Sequence, residues 1–266
     1  MSKATVSAVS QAAVATTAGA QDELGKVLAL SGFPIRSTSK EKLAAFLVAR
    51  MENGRAHGQR VALFFANTNF IVKCRFILQR EPDNGLLLVN DGIGLDIAAK
   101  LIHGQRFEEN LNGTDFTPFL FQAAGRVLRV FMIGARPEVL ARAVHHVRQQ
   151  LGQDVVGSCD GYDGLKSDAG LVERINAAQP DVVLVAMGNP IQEEWILVRQ
   201  AAIEAPVMIG VGALFDFWAG DKARAPQWIR SARLEWFYRL CLEPRRLLRR
   251  YTFDILVFLG HCFKYR

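Results

Sequence analysis

The sequence has little cysteine, and its cysteines are not arranged in pairs. They form no Cys-x-x-Cys motif and lack the spacing of metal ligands; they are Cys74, Cys159, Cys241 and Cys262. Disulfide scaffolds and structural zinc sites depend on closely spaced cysteines. We therefore expect reduced thiols and no structural metal.

The sequence also lacks a run of residues that could span a membrane. A helix needs about 20 consecutive apolar residues to cross a bilayer. The longest apolar run, residues 251–263, is interrupted by Asp254 and His261. Residues 1–23 are rich in small residues and lack the Leu-rich core of a signal peptide, so we predict a disordered N-terminal tail there.

The common signatures of nucleotide and metal sites are missing as well. There is no Walker A sequence, no complete Gly-x-Gly-x-x-Gly after the first long strand, and no Asp-x-Asp pair to hold a divalent metal against a diphosphate. The five histidines show no coordination pattern. These absences predict no cofactor and no catalytic metal.

Positive charge is concentrated at the C-terminal end. Residues 224–266 contain ten Lys or Arg and three Asp or Glu, whereas the rest of the chain is nearly neutral. Large apolar residues are interleaved with these arginines, as in helices that lie in an anionic membrane interface. We predict a basic amphipathic membrane-association appendage over residues 221–266, with two helices that meet near Pro244. The alternative is a helix pair docked on the sheet.

Residues 24–220 alternate short apolar runs with helical patterns. Ser39 suits the N-cap of one helix, and Pro137 suits the first turn of another. Six runs rich in β-branched residues, Leu and Phe predict buried strands, at 60–66, 86–90, 126–134, 153–158, 181–188 and 206–212. The alternation predicts an α/β domain with a Rossmann-like, mostly parallel six-stranded sheet and helices on both faces.

Polar and glycine-rich clusters follow five of these strands. Any one of them could be an ordinary turn. Parallel strands, however, place their carboxyl ends at one edge of the sheet, where ligands bind. The clusters are Asn67-Thr68-Asn69, Asn90-Asp91-Gly92, Gly134-Ala135-Arg136, Asp160-Gly161-Tyr162 and the segment GNPIQEEW at 188–195. The turns before Pro137 and at Pro190 also leave backbone N–H groups at helix starts, which suit a diphosphate.

Five segments, in this order, resemble the WecG/TagA/CpsF family of glycosyltransferases: VNDGIGLDIAAK, NGTDF, MGNPIQEEW, GVGALFDFWAGDKARAP and LEWFYRLCLEPRRLLRRY. The resemblance covers roughly residues 30–255. It implies a GT-E fold and an inverting, metal-independent hexosyltransferase. Such an enzyme uses a UDP-sugar donor and a polyprenyl-diphosphate-linked acceptor at the cytoplasmic face of the bacterial inner membrane, where it binds peripherally.

The resemblance also bears on which sugar is transferred. The segments FANTNF and NLNGTDF are more similar to the exopolysaccharide branch of the family, which includes xanthan synthesis, and this implies glucose. N-acetylmannosamine or its uronic acid is the alternative within the family. Outside it, a nucleic-acid-binding protein with a basic tail and an NAD(P)-dependent oxidoreductase remain open, although the aromatic content of the tail disfavours nucleic acid.

The resemblance also implies roles for individual residues. Asp91 corresponds to the catalytic base and Gln192 to a substrate contact. Asn67 stands where the family usually has Thr, so either Asn67 or Thr68 supplies that contact. The acceptor diphosphate is assigned to Arg239, Arg246 and Arg249. Further substrate-binding candidates are Asn69, Gly92, Gly113, Thr114, Asp115, Gly134, Tyr162 and Gly188. Glu193 and Glu194 are rival carboxylates, for which pairing with a helix dipole is the simpler role.

Overall fold

The computed structural model describes residues 24–54, 58–79, 85–167, 169–222, 224–226, 229, 235–242 and 244–265. In the last two helices the side chains of residues 235, 236, 239, 245–251, 253 and 254 are not described. The disordered tail predicted over residues 1–23 lies outside the described residues.

The described residues form strands and helices in alternation. The strands are β1 (Val27–Leu30), β2 (Phe33–Arg36), β3 (Val61–Ala66), β4 (Leu86–Asn90), β5 (Arg129–Gly134), β6 (Asp154–Cys159), β7 (Val182–Ala186) and β8 (Val207–Gly210). The helices are α1 (Lys40–Asn53), α2 (Thr68–Lys73), α3 (Ile93–His103), α4 (Gly113–Ala123), α5 (Pro137–Gln149), α6 (Asp163–Ser167), α7 (Leu171–Ala178), α8 (Ile191–Arg199), α9 (Leu214–Trp218), α10 (Glu235–Leu242) and α11 (Pro244–Lys264). Ser39 caps α1, as predicted.

One mixed α/β sheet runs through the molecule in the order β1-β2-β4-β3-β8-β7-β5-β6. All neighbouring strands are parallel except β1 and β2. The six predicted segments all form strands, but the expected number of six is wrong, because the β1–β2 hairpin adds two. Each of its strands has four residues, and Pro34 weakens the strand pattern of β2. Ser31 and Gly32, both at positive φ, make the tight turn.

Helices cover both faces of the sheet, as expected. Along β3, Phe64 faces one core and Leu63 and Phe65 face the other. The first core is closed by α2, α3, α7, α8 and α11. The second core is closed by α1, α4, α5 and α9. Strands buried on both faces explain why their sequences are continuously apolar rather than alternating.

In the described part of the C-terminal segment, α10 ends at Leu242 and α11 begins at Pro244, which agrees with the predicted division into two helices near Pro244. The second, α11, packs against α2 and α3. Phe258 and Cys262 are each 1% exposed and belong to the first core. Within the described part of the chain, no helix has both the length and the apolar character needed to cross a bilayer.

Candidate active site

The carboxyl ends of β3 and β4 bring Asn67 and Asp91 together. The Nδ2 group of Asn67 donates to Oδ2 of Asp91 at 3.2 Å. The Oδ1 atom of the same amide accepts the backbone N–H of Phe70 at 3.1 Å, which caps α2. The backbone N–H of Asp91 donates to the carbonyl of Ala66 at 2.7 Å. Asp91 is half-buried, so its carboxylate is held at the sheet edge and still reaches the surface.

The turn after Asp91 depends on glycine at two positions. Gly92 has a φ of +95°, in the region that side chains rarely adopt, and its N–H donates to the side chain of Asn110. A Cβ on Gly94 would lie 2.6 Å from Cγ2 of Thr68. Thr68 therefore packs against α3 through its methyl group, whereas Asn67 makes the polar contact with Asp91.

The start of α4 is fixed against the same edge of the sheet. Asn112 caps α4 by accepting the N–H of Asp115 at 2.9 Å. A Cβ on Gly113 would lie 3.2 Å from the ring of Phe65, so glycine allows α4 to approach β3 closely. Asp115 also forms an ion pair with Arg224, whose Nη2 lies 2.6 Å from Oδ1 of the carboxylate.

Gln192 lies between the ends of β7 and β8 and is 3% exposed. Its Oε1 atom accepts the N–H groups of Gly188 at 3.2 Å and Gly212 at 3.0 Å. Its Nε2 group donates to Glu193 Oε1 at 2.8 Å and to Asn189 Oδ1 at 3.4 Å. Both hydrogens and both lone pairs of the amide are engaged, so Gln192 cross-links the two loops from within.

Glu193 is a buried carboxyl group beneath the site. It is 1% exposed, and burial raises its pKa to about 6, while the hydrogen bond from Gln192 opposes the shift. Burial, followed by the charge of Glu193, also raises the pKa of Cys74. Glu193 is therefore a core group rather than a surface partner of the helix dipole. Substrate cannot reach it without rearrangement of the core.

A second part of the edge lies where β5, β6 and β7 end. Gly134 has a φ of +116°, and a Cβ there would lie 2.3 Å from the carbonyl oxygen of Ala186. The N–H of Gly161 donates to the carbonyl of Ala135 at 2.9 Å. The ends of the three strands thus come close together because Gly134 has no side chain.

A cleft of about 540 Å³ opens beside these loops. It is lined by Pro137, Leu140, Ala141, Ser158, Cys159, Asp160, Gly164 and Arg174. The carboxylate of Asp160 shapes the loop by accepting the N–H groups of Tyr162 at 3.0 Å and Gly164 at 3.1 Å. Tyr162 is 54% exposed in the same loop. An exposed ring beside a cleft is suited to stacking on a planar ligand.

Among the described helices that directly follow a strand at this edge, four begin without a side-chain cap. They are α3 after β4, α5 after β5, α8 after β7 and the short α9 after β8. By contrast, Asn67 caps α2 and Asn112 caps α4. An uncapped start leaves backbone N–H groups and the positive end of the helix dipole for an anionic ligand. The edge is therefore suited to a phosphate-containing substrate.

The sequence matches the model of the glycosyl transferase WecG/TagA/CpsF family over residues 28–266. The chain belongs to this family. One relative is the N-acetylglucosaminyldiphosphoundecaprenol N-acetyl-beta-D-mannosaminyltransferase of Bacillus spizizenii strain W23, which is 35% identical over 164 residues. The alignment covers 61% of this chain and 63% of the relative, so the chain spans less than two thirds of the relative's length.

Membership of the WecG/TagA/CpsF family confirms the resemblance seen in the five motifs. The structure gathers the candidates of the sheet domain at one edge: Asn67, Thr68, Asn69, Asp91, Gly92, Gly113, Thr114, Asp115, Gly134, Tyr162, Gly188 and Gln192. Asn69 and Thr114 lie half-buried in the first turns of α2 and α4. The side chains of the acceptor candidates on α10 and α11 lie outside the described residues; they are Arg239, Arg246 and Arg249.

Sequence reasoning missed two members of this edge. Asn110 holds the turn at Gly92, and Arg224 pairs with Asp115. Asn110 lies two residues before the family motif NGTDF, and Arg224 lies within the motif GVGALFDFWAGDKARAP. These positions were the signal available for them. Among the residues that the structure describes, no group of three or more His, Cys, Asp or Glu could hold a metal ion.

Proposed function

We propose that this chain is an inverting glycosyltransferase that moves a hexose from a UDP-sugar to a polyprenyl-diphosphate-linked sugar. The observation that carries the proposal is the Asn67–Asp91 pair at the carboxyl edge of the sheet, in a chain of the WecG/TagA/CpsF family. Family membership favours this activity over nucleic-acid binding and over NAD(P)-dependent oxidation. The name of the Bacillus relative supports a lipid-linked acceptor, because that name contains a diphosphoundecaprenol sugar.

In the proposed reaction Asp91 is the general base. The acceptor hydroxyl attacks the anomeric carbon of the donor, and the bond from that carbon to the diphosphate breaks on the opposite face. The electron pair leaves with UDP, and the hydroxyl proton passes to Asp91. The amide of Asn67 orients the carboxylate. A positioned base of this kind contributes about 10²–10⁴-fold to the rate.

The donor is proposed to lie along the sheet edge. The cleft beside α5 and the exposed ring of Tyr162 are suited to the nucleoside. The diphosphate is suited to the loops of Gly188 and Gly134, which lead to uncapped helix starts. Gln192 holds the Gly188 loop in shape. Neighbouring strands lie about 4.8 Å apart, so the four spacings from β5 to β4 span about 19 Å. The donor therefore extends across the edge with its sugar toward Asp91.

The remaining donor contacts are assigned to the first turns that border Asp91. These candidates are Thr68, Asn69, Gly92, Gly113, Thr114 and Asp115. The absence of an Asp-x-Asp motif and the family resemblance both favour a mechanism without a metal. Backbone N–H groups then stabilise the charge on the departing diphosphate.

The acceptor is proposed to reach Asp91 from the membrane surface. Arg239, Arg246 and Arg249, in the basic C-terminal segment, are suited to its diphosphate because guanidinium groups bind oxygen atoms in pairs. The segment from residue 221 would then bind the cytoplasmic face of the inner membrane peripherally. Deletion is a poor test, because it would remove Phe258 and Cys262 from the core.

Two donor sugars have separate support. The segments FANTNF and NLNGTDF favour glucose, whereas the name of the Bacillus relative favours N-acetylmannosamine. The test is incubation of the full chain with UDP-glucose, UDP-N-acetylmannosamine or UDP-N-acetylmannosaminuronic acid, and with short-chain polyprenyl-diphosphate acceptors. These should carry either glucose or N-acetylglucosamine, and the mass of the lipid product is the readout. We expect a gain of one sugar with one donor. No mass gain with any pair would reject the transferase proposal.

A further inference from the structure

The outer face of α3 carries a stripe of exposed apolar side chains. Ile93, Ile97 and Leu101 are 39%, 50% and 63% exposed. Their spacing of four residues places them on one side of the helix. The opposite side of α3 is buried in the first core through Leu95 and Ala98. Three large aliphatic residues in a row on an exposed helix face mark a contact surface.

The α3 stripe lies close to the catalytic candidate Asp91, and this limits which partner can contact the stripe. Ile93 follows Asp91 by two residues, through the turn at Gly92. With a rise of about 1.5 Å per residue, the stripe extends about 12 Å along α3 to Leu101. The α3 stripe therefore begins beside Asp91. In the proposed reaction the acceptor binds at Asp91, so it lies next to this stripe.

The charges around the stripe favour a lipid surface. Lys100 on α3 and Arg106 just beyond it are exposed. The one acidic residue of the α3 sequence, Asp96, is only 5% exposed, so the outer face of α3 presents no carboxylate. Apolar residues flanked by cations are typical of helices that lie in the headgroup region of an anionic bilayer.

The neighbouring helix supports the same orientation. The C-terminal helix α11 contacts α3 and has its own exposed apolar residues, Leu256 at 68% and Phe263 at 65%. The C-terminal segment also contains the excess of arginine. Two adjacent helices thus combine exposed aliphatic or aromatic side chains with positive charge.

We propose that the α3 stripe inserts into the leaflet of an anionic bilayer and holds Asp91 at the membrane surface. The inference rests on the proposed function in one respect: an acceptor joined to its lipid by a diphosphate has its reactive sugar close to the headgroups. The sheet domain therefore has a membrane contact of its own, separate from the basic C-terminal segment. In this arrangement α3 fixes the height of the active site above the bilayer.

The test compares two pairs of substitutions in the full chain. One pair, Ile97→Glu with Leu101→Glu, places charge in the stripe. The control pair, Val127→Glu with Val198→Glu, changes apolar residues that are equally exposed, at 58% and 64%, elsewhere on the surface. Co-sedimentation is measured with vesicles of phosphatidylglycerol and phosphatidylcholine. The co-sedimentation is measured in about 1 M salt. At this ionic strength the Debye length is about 3 Å, so the salt screens the attraction between the arginines and the anionic lipid.

We expect the stripe pair to lower the vesicle partition coefficient at least about tenfold, and the control pair to leave it unchanged. Equal partitioning of the stripe pair and the wild type would overturn the proposal. A change of oligomeric state in the stripe pair, without loss of vesicle binding, would also overturn it, since the stripe would then be a protein interface. If the glutamate pair lowers the melting temperature, Ile97→Ser with Leu101→Ser replaces it, and vesicle binding of this serine pair is compared with that of the control pair.

A second readout separates this inference from the proposed function. The stripe pair should turn over a short-chain, water-soluble acceptor at the wild-type rate, but should lose turnover of a long-chain acceptor embedded in vesicles. Equal loss with both acceptors would show that the stripe supports the active site and not membrane contact. If the wild type transfers no sugar at all, the proposed function fails, and the vesicle measurement still decides whether α3 binds lipid.

Discussion

The side chain of Asn67 joins the catalytic candidate Asp91 to the start of a helix. Its Nδ2 group lies 3.2 Å from Oδ2 of Asp91, and its Oδ1 atom caps α2 through the N–H of Phe70. The two contacts use different atoms of one amide. Substitutions can therefore remove the contact with Asp91 while keeping the cap.

Asn67→Ser keeps an oxygen that can cap α2 but removes the Nδ2 group that reaches Asp91, because the serine side chain is shorter. We expect little change in melting temperature and a fall in kcat of about tenfold, because a hydrogen bond to a charged group contributes about 1.5–3 kcal/mol. Asn67→Ala, measured beside it, should also lose about 1 kcal/mol of stability with the cap. Full activity of the Ser variant would show that Asp91 needs no partner.

Glu193 gives the protein a pH-dependent stability. Its pKa rises from an ordinary 4.5 to about 6 on folding, because burial disfavours the charged form. Folding therefore takes up a proton between these pH values. The stability linked to this group is complete below about pH 4.5 and is lost as the pH rises through 6. At pH 7.5 the loss amounts to about 2 kcal/mol.

Glu193→Gln removes this loss and keeps the size of the side chain. We expect its melting temperature to exceed that of the wild type by several degrees at pH 7.5 and to match it near pH 4.5. Thermal unfolding across this pH range is the measurement, with the exposed neighbour changed by Glu194→Gln as the control. A difference that does not vary with pH would mean that Glu193 does not ionise in this range.

The long strands, and the meeting of the candidate residues at one edge of the sheet, could be predicted from the sequence because both depend on local patterns. Continuous apolar runs mark strands buried on both faces, and parallel strands bring the residues after them to one edge. The β1–β2 hairpin has strands of only four residues, and Pro34 obscures one of them. Such short segments give too weak a pattern to be predicted with the others.

Contacts between distant parts of the chain could not be predicted. The pairing of Asp115 with Arg224 joins residues that are far apart in sequence. The saturated amide of Gln192 depends on Gly212, twenty residues away in the loop after β8. The burial of Glu193 beside Cys74 is likewise decided by tertiary packing, since the GNPIQEEW motif reads as a solvent-exposed helix start.

Gly94→Ala should strain the contact between α2 and α3. The added Cβ would lie 2.6 Å from Cγ2 of Thr68, and overpacking of this kind costs about 1–3 kcal/mol. Thr68→Ser removes that methyl group. In the Ser background, Gly94→Ala should be neutral or stabilising by up to about 1 kcal/mol, because alanine favours a helix over glycine. Urea unfolding of the four proteins of this cycle measures the coupling. The same cost in both backgrounds would place the clash elsewhere.

Chelation should leave the proposed reaction almost unchanged. Because backbone N–H groups are proposed to stabilise the departing diphosphate, EDTA should alter turnover by less than about twofold. Added magnesium should likewise have little effect. The measurement is the initial rate with and without each addition. Full loss on chelation that a single divalent ion restores would require a metal-assisted mechanism.

The account depends most on Asp91 as the base of a sugar transfer. Asp91→Asn keeps the size of the side chain and can still bond to Asn67, but cannot take the acceptor proton. Asp154→Asn is the matched control, because Asp154 is an exposed carboxylate at the start of β6, at the opposite edge of the sheet. Both variants should melt near the wild-type temperature.

The measurement is the single-turnover rate at which labelled sugar passes from the UDP donor to the polyprenyl-diphosphate acceptor. We predict that Asp91→Asn lowers this rate at least about 100-fold, while Asp154→Asn leaves it unchanged. A folded Asp91→Asn protein that transfers sugar at more than about a tenth of the wild-type rate would contradict the account.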